Sequence, residues 1–123
     1  MTHRFHTQKW PEVVAFYEQL MNEHSWPIEP MLDLVRFMAS SRYADVLFPC
    51  TSHDLLHIGR MADFSPGDNE LQIKFDLRAN RFKFTFVQRA DDLKPWFCEC
   101  PGSEWRVVLV RLLVRRLGWF QER

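Results

Sequence analysis

Two histidines separated by three residues, His53 and His57, are the feature of the sequence most able to do chemistry. Their segment, His53-Asp54-Leu55-Leu56-His57, has the spacing of the zincin motif, in which two histidines one helical turn apart bind zinc and a glutamate activates water. Here an aspartate, one methylene shorter, stands in place of that glutamate. Pro49 and Gly59 also confine the segment to a length that suits a strand better than a helix. We therefore do not expect a metalloprotease.

A looser metal site would combine this histidine pair with cysteine thiols. Cys50, His53 and His57, completed by Cys98 or by Cys100, offer the nitrogen and sulfur ligands that zinc prefers. Structural zinc sites usually carry Cys-x-x-Cys pairs, whereas the C-terminal pair here is spaced Cys-x-Cys. The alternative prediction is a small zinc-binding domain or metal-dependent enzyme centred on His53 and His57 with Cys50, and with Cys98 as a further ligand. The other interpretation is that the thiols are small buried hydrophobic groups.

Other catalytic and nucleic-acid classes find less support. Ser52, His53 and Asp54 are neighbours in sequence, so their side chains diverge on a strand or a helix and cannot form a triad. With four glycines in all, the chain has no phosphate-binding loop motif. Sixteen basic residues against sixteen acidic ones give a formal net charge of zero, which argues against a nucleic-acid binder. We expect a non-catalytic protein.

The elements that must position these residues begin with a helical hairpin. At 123 residues, the chain is predicted to form one domain over residues 1–123. Apolar residues recur at spacings of three and four from Pro11 to His24, and again from Ile28 to Ser40. Pro27 separates the two runs, because proline disfavours helical geometry in the residue before it. The pattern predicts two helices packed as a hairpin.

An antiparallel sheet is predicted next, where the period changes to two. Apolar and polar residues alternate from Leu71 to Leu77 and from Phe82 to Gln88, around a turn at Ala79-Asn80. Shorter strands are predicted at Asp54–Gly59 and Trp96–Cys100, with Cys98 and Cys100 on one face of the latter. The fold class is therefore α+β, with a three- or four-stranded antiparallel sheet.

A C-terminal helix from Ser103 to Leu117 completes the prediction. One apolar line is expected to pack on the sheet. It consists of Leu109, Val110, Leu113, Val114 and Leu117. A second line falls on nearly the opposite side and is interrupted by arginines, a mixture enriched at protein interfaces. Its residues are Trp105, Val108, Arg111, Leu112, Arg115 and Trp119. This line is either covered by the N-terminal helices or exposed to a partner.

The second apolar line leads to the functional prediction. We expect a small adaptor, immunity or chaperone-like accessory protein that contacts another protein or itself, as a homodimer. The segment from Ser103 onward contains five arginines and two glutamates, a charge of +3 that suits an acidic partner. No apolar run has the ~20 residues of a membrane helix, and Met1–His6 begins no signal peptide. The chain also has three cysteines, an odd number, whereas small secreted proteins usually carry an even set. Together with the lack of a signal peptide, this number predicts a cytoplasmic protein.

Overall fold

The computed structural model describes residues 7–64, 69–88 and 96–120 of the chain. Three α-helices and five strands follow one another in these ranges. The helices are α1 (Trp10–His24), α2 (Glu29–Ser40) and α3 (Trp105–Arg111). The strands are β1 (Phe48–Ser52), β2 (Leu55–Gly59), β3 (Glu70–Asp76), β4 (Arg81–Val87) and β5 (Trp96–Pro101). The predicted α+β class, with two N-terminal helices and a C-terminal helix, is confirmed.

The N-terminal helices begin and end where local chemistry requires. Glu12 accepts a hydrogen bond from the backbone N–H of Lys9 at the start of α1, which satisfies a donor that the helix leaves unpaired. α1 ends at His24, and the next residue, Ser25, has a left-handed φ of 55° that stops the helix. α1 and α2 pack against each other and bury their apolar stripes, including Tyr17 and Leu34. None of the helices in the described ranges combines the length and apolarity needed to cross a membrane.

The five strands form an antiparallel sheet in the order β1-β2-β3-β4-β5. The hairpin between β3 and β4 turns at the predicted place, with Asn80 at a positive φ of 51°. Side chains alternate between two faces, which we call the helix face and the outer face. The helix face carries the apolar core residues of the sheet. These include Leu56, Ile58, Leu71, Ile73, Phe82 and Phe84.

The sheet has five strands, and the prediction of three or four was wrong because it assigned Pro49 to a turn, where the structure has strand β1. Proline is tolerated on an edge strand when the missing N–H points away from the neighbouring strand. That is the case here, because the carbonyl oxygen of Pro49 accepts a hydrogen bond of 2.9 Å from the backbone N–H of Gln8, outside the β1–β2 pair. The lost donor therefore removes no bond of the sheet.

The C-terminal helix is shorter than predicted and changes its winding. α3 begins after Glu104 and not at Ser103, and from Leu112 to Arg116 the chain continues as a π-helical turn. The backbone N–H of Leu117 donates to the carbonyl oxygen of Leu112, five residues earlier, at 2.8 Å. This wider turn rotates later side chains relative to a regular α-helix. Gly118, at a φ of 63°, then ends the helical segment as the sequence predicted.

Candidate functional site

The structure separates the four residues of the predicted zinc site. His53 lies exposed in the turn between β1 and β2, with a φ of 57°. Cys50 and His57 are cross-strand neighbours on the outer face, whereas Cys98, at the far edge of the sheet, projects from the helix face. Among the described residues, no group of three or more His, Cys, Asp or Glu side chains is placed to hold a metal ion.

His57 instead belongs to a buried polar cluster on the outer face, which we call the His57 cluster: Cys50, His57, Glu70 and Gln72. Nδ1 of His57 lies 2.6 Å from Oε1 of Glu70, and Nε2 of Gln72 donates to the same oxygen at 2.8 Å. The Glu70 side chain is completely buried, and that of His57 nearly so.

Chain segments outside the sheet cover this end of the outer face. The ring of Phe64 occupies the space that a Cβ on Gly59 would need, so the loop after β2 folds back over the strand. Since the Glu70 side chain is completely buried and the His57 side chain is only 7% exposed, the chain's own residues enclose the cluster.

The Cys50 thiol is poorly suited to nucleophilic chemistry. Burial raises its pKa above the ordinary value, and the charge of Glu70 raises it further. A thiol must ionise to attack, and reactive cysteines are found in electropositive, partly exposed surroundings. The His57 cluster therefore resembles a buried structural network more than a catalytic site. Sequence reasoning missed Glu70 and Gln72, because their alternation with apolar residues indicated a solvated face.

The predicted second line of the C-terminal helix is divided between the core and the surface. Leu112 is 4% exposed and Trp119 is 8% exposed, and both belong to the main core cluster. The Trp119 ring meets Phe86 edge to face at 5.8 Å, and Trp105 meets Phe37 of α2 at 5.6 Å. Both tryptophans are thus covered by other parts of this chain, which is one of the two arrangements expected for the second line.

A groove of about 430 Å³ remains between the C-terminal helical segment and strand β5. We call it the arginine groove. It is lined by Trp96, Cys98, Val108, Arg111, Leu112, Arg115 and Arg116. Four of the six residues predicted for partner binding lie here: Val108, Arg111, Leu112 and Arg115. The prediction for partner binding did not include Trp96, Cys98 or Arg116. Trp96 and Cys98 belong to strand β5, and only the tertiary fold places that strand beside the helical segment.

The groove combines a largely apolar floor with a cationic rim. Trp96, Cys98 and Val108 are half-buried, whereas all three arginines are exposed. The guanidinium of Arg116 lies over the Trp96 ring, 4.8 Å from its centroid, a cation–π arrangement. Within the described ranges, Arg111 and Arg115 form no ion pair with a carboxylate. Among the residues of the lining that the structure describes there is no acidic side chain, so their formal charge is +3.

A second cavity, of about 350 Å³, lies on the outer face near the β3–β4 turn. Its charged lining residues are Lys74, Asp76, Arg81, Lys83 and Glu99. The register places Asp76 opposite Arg81 and Glu99 opposite Lys83, but it also places Lys74 opposite Lys83. Lys83 also lies over the ring of Phe97, which is 55% exposed. Cations and carboxylates are thus mixed on this face, which is typical of a solvated sheet face and selects a ligand charge less clearly than the arginine groove does.

Comparison of the chain with protein-family models, with curated proteins and with solved structures gives no match. The geometry of the arginine groove and of the His57 cluster is therefore the basis for a functional assignment.

Proposed function

We propose that this chain is a non-catalytic protein that acts through protein–protein contact, and that the arginine groove binds an acidic segment with apolar side chains from a partner. The observation that carries the proposal is the set of three exposed arginines around a half-buried apolar floor. Arginine and tryptophan are enriched at the energetic centres of interfaces. The floor supplies apolar contact, and the rim selects negative charge.

Charge favours a different protein over a second copy of this chain as the occupant. A two-fold interface uses the same patch on both subunits, so it would bring two sets of Arg111, Arg115 and Arg116 together. Like charges that face each other across an interface reduce the binding free energy by about several kcal/mol, unless anions lie between them. An acidic segment instead gains from all three arginines. The homodimer predicted as an option is thus the less favoured partner.

The size of the groove sets the expected affinity. A groove of about 430 Å³ accommodates a short segment and not a large folded surface. Small interfaces are typical of transient complexes. We therefore expect micromolar dissociation constants, and a decrease in affinity as salt screens the arginines.

A reducing compartment agrees with the cysteine chemistry. The chain has three cysteines, an odd number, and Cys50, Cys98 and Cys100 are all free thiols. Disulfides form readily in oxidising compartments and are rare in the cytosol. We therefore include a cytoplasmic location in the proposal. The partner protein would be present in the same compartment.

Peptide display tests the proposal directly. A library of random twelve-residue peptides is selected on the wild-type protein, with counter-selection on the double variant Arg111→Glu, Arg115→Glu. We expect enrichment of peptides in which Asp or Glu accompany apolar residues, and at least a tenfold loss of affinity for each single variant. Arg78→Glu is the matched control, because it reverses the charge of an exposed arginine in the β3–β4 turn, away from the groove. This variant should bind the peptides normally.

Three outcomes would contradict the proposal. They are a selection without enrichment, enrichment of basic peptides, and binding that Arg111→Glu and Arg115→Glu leave unchanged. A stable dimer in light scattering that Arg115→Glu dissociates would equally overturn it, because the groove would then be occupied by a second copy.

A further inference from the structure

Strand β5 ends the sheet on the side of the arginine groove. It pairs with β4 through the register from Trp96 opposite Phe86 to Pro101 opposite Arg81. In the part of the chain that the structure describes, no strand pairs with its other edge. An edge of this kind presents backbone N–H and C=O groups that can template a further strand. Pro101 limits such pairing at one end, so the available template is Trp96–Cys100.

The groove lies along this same edge. Its floor includes Trp96 and Cys98, alternate residues of β5 that project from the helix face. Val108 and Leu112 face them from the C-terminal helical segment. A strand added to β5 would therefore project every second side chain between the sheet and the helix, where the apolar floor and the arginine rim meet.

The free edge of β5 favours an extended occupant over a helical one. A helix pairs its own backbone N–H and C=O groups internally, so it would leave those of the sheet edge without a partner strand. An added strand lies about 4.8 Å from its neighbour, pairs with these groups and places alternate side chains on one face.

We propose that the partner segment binds as an added strand on the outer edge of β5, with its acidic side chains directed to Arg111 and Arg115. This inference rests on the proposed function, since it gives the binding mode of the same segment. Affinity then comes from main-chain hydrogen bonds to β5, and selectivity from the apolar and acidic side chains that point into the groove.

Two backbone-modified peptides test this mode. The most enriched peptide from the display selection is synthesised with N-methyl groups on its odd residues or on its even residues, which removes alternate N–H donors and keeps every side chain. In an added strand, only one of the two sets of N–H groups faces β5. We expect one peptide to bind at least tenfold more weakly than the other.

Amide hydrogen exchange locates the added strand. The unmodified peptide should slow exchange at outward-facing amides of Trp96–Cys100, and amides of β1 at the opposite edge of the sheet serve as the control. Equal effects of the two N-methyl sets, or β5 amides already protected in the free protein, would overturn strand addition. Binding that still depends on Arg111 and Arg115 would leave the proposed function in place, whereas a display selection without enrichment would remove both.

Discussion

The His57 cluster and the arginine groove both combine ionisable side chains with apolar neighbours, but they use them in opposite ways. In the cluster, the carboxyl group of Glu70 is completely buried, shares a hydrogen bond with Nδ1 of His57 and accepts another from Gln72. In the groove, Arg111 and Arg115 are exposed beside half-buried apolar groups. A buried charge that the chain itself satisfies contributes to the fold, whereas exposed cations beside an apolar floor are available to another molecule.

The largest expected effect is on stability, from removal of the buried carboxylate. Glu70→Ala takes away the hydrogen-bond partner of both His57 and Gln72, at about 1–3 kcal/mol each, and leaves a cavity. It should lower the free energy of unfolding by about 3–5 kcal/mol. Urea unfolding followed by circular dichroism measures this change. Glu99→Ala, on the exposed part of the same sheet face, is the control and should change the value by less than about 0.5 kcal/mol.

Glu70→Gln keeps the comparison testable if the alanine variant does not fold. Its amide retains the shape and one acceptor oxygen, so we expect a smaller loss than for alanine. A loss below about 0.5 kcal/mol for Glu70→Ala would show that the cluster does not stabilise the fold, and the contrast with the groove would no longer hold.

Leu112 lies where the groove meets the core. Leu112→Ala should cost about 2–5 kcal/mol of unfolding free energy, because it creates a cavity beneath the helical segment. Val107→Ala is a suitable control, since Val107 is 57% exposed on the same helix and its truncation leaves no cavity. Equal, small effects of the two variants in denaturant unfolding would mean that this part of the helix packs less tightly than the structure shows.

The arginine rim should show the reverse pattern. Arg111→Glu with Arg115→Glu should change the free energy of unfolding by less than about 0.5 kcal/mol, because both side chains are exposed and lack an ion pair within the described ranges. The same variant should lose peptide affinity by about a hundredfold in fluorescence anisotropy. A large loss of stability would place these arginines among the groups that maintain the fold and would remove the contrast with Glu70.

The smallest expected effect is a pH dependence from the buried thiol at the sheet edge. Burial, together with the nearby charges of Cys98 and Glu104, raises the pKa of Cys100 from 9.0 to about 11. The unfolded chain therefore releases this proton at lower pH than the folded chain does. The stability contributed by the neutral thiol is complete below about pH 9 and is lost as pH rises toward 11.

Urea titrations at pH 8 and pH 10 measure this contribution. The wild type should lose stability between the two values, and Cys100→Ala should lose less. The variant should retain part of the decline, because burial also raises the pKa values of Cys50 and Tyr17. An identical decline in both proteins would show that Cys100 ionises equally in the folded and unfolded chains.

The regular elements could be predicted because their information is local. The three-and-four spacing in α1 and the alternation through β3 and β4 are properties of neighbouring residues, and they predicted both the elements and their buried faces. β1 was missed because the effect of Pro49 depends on whether its backbone faces a strand or the outside. That orientation is not a property of its neighbours in sequence.

The candidate site was predicted in part for the same reason. Helical spacing placed Val108, Arg111 and Arg115 near one another, and the structure has them on the groove. It could not show that Trp96 and Cys98 form the opposite wall, nor that a π-helical turn begins at Leu112. Such contacts join residues that are distant in the chain.

The sequence alone determined the α+β class, the apolar face of the β3–β4 hairpin and the excess of arginine near the C-terminus. Each of these features depends on the chemistry of residues that are adjacent in the chain. Strand order, burial of Glu70 beside His57 and the opening of a groove at the sheet edge were decided only in the tertiary structure. Packing brings distant residues together, and it determines whether a charged group is satisfied by the chain or left exposed at its surface.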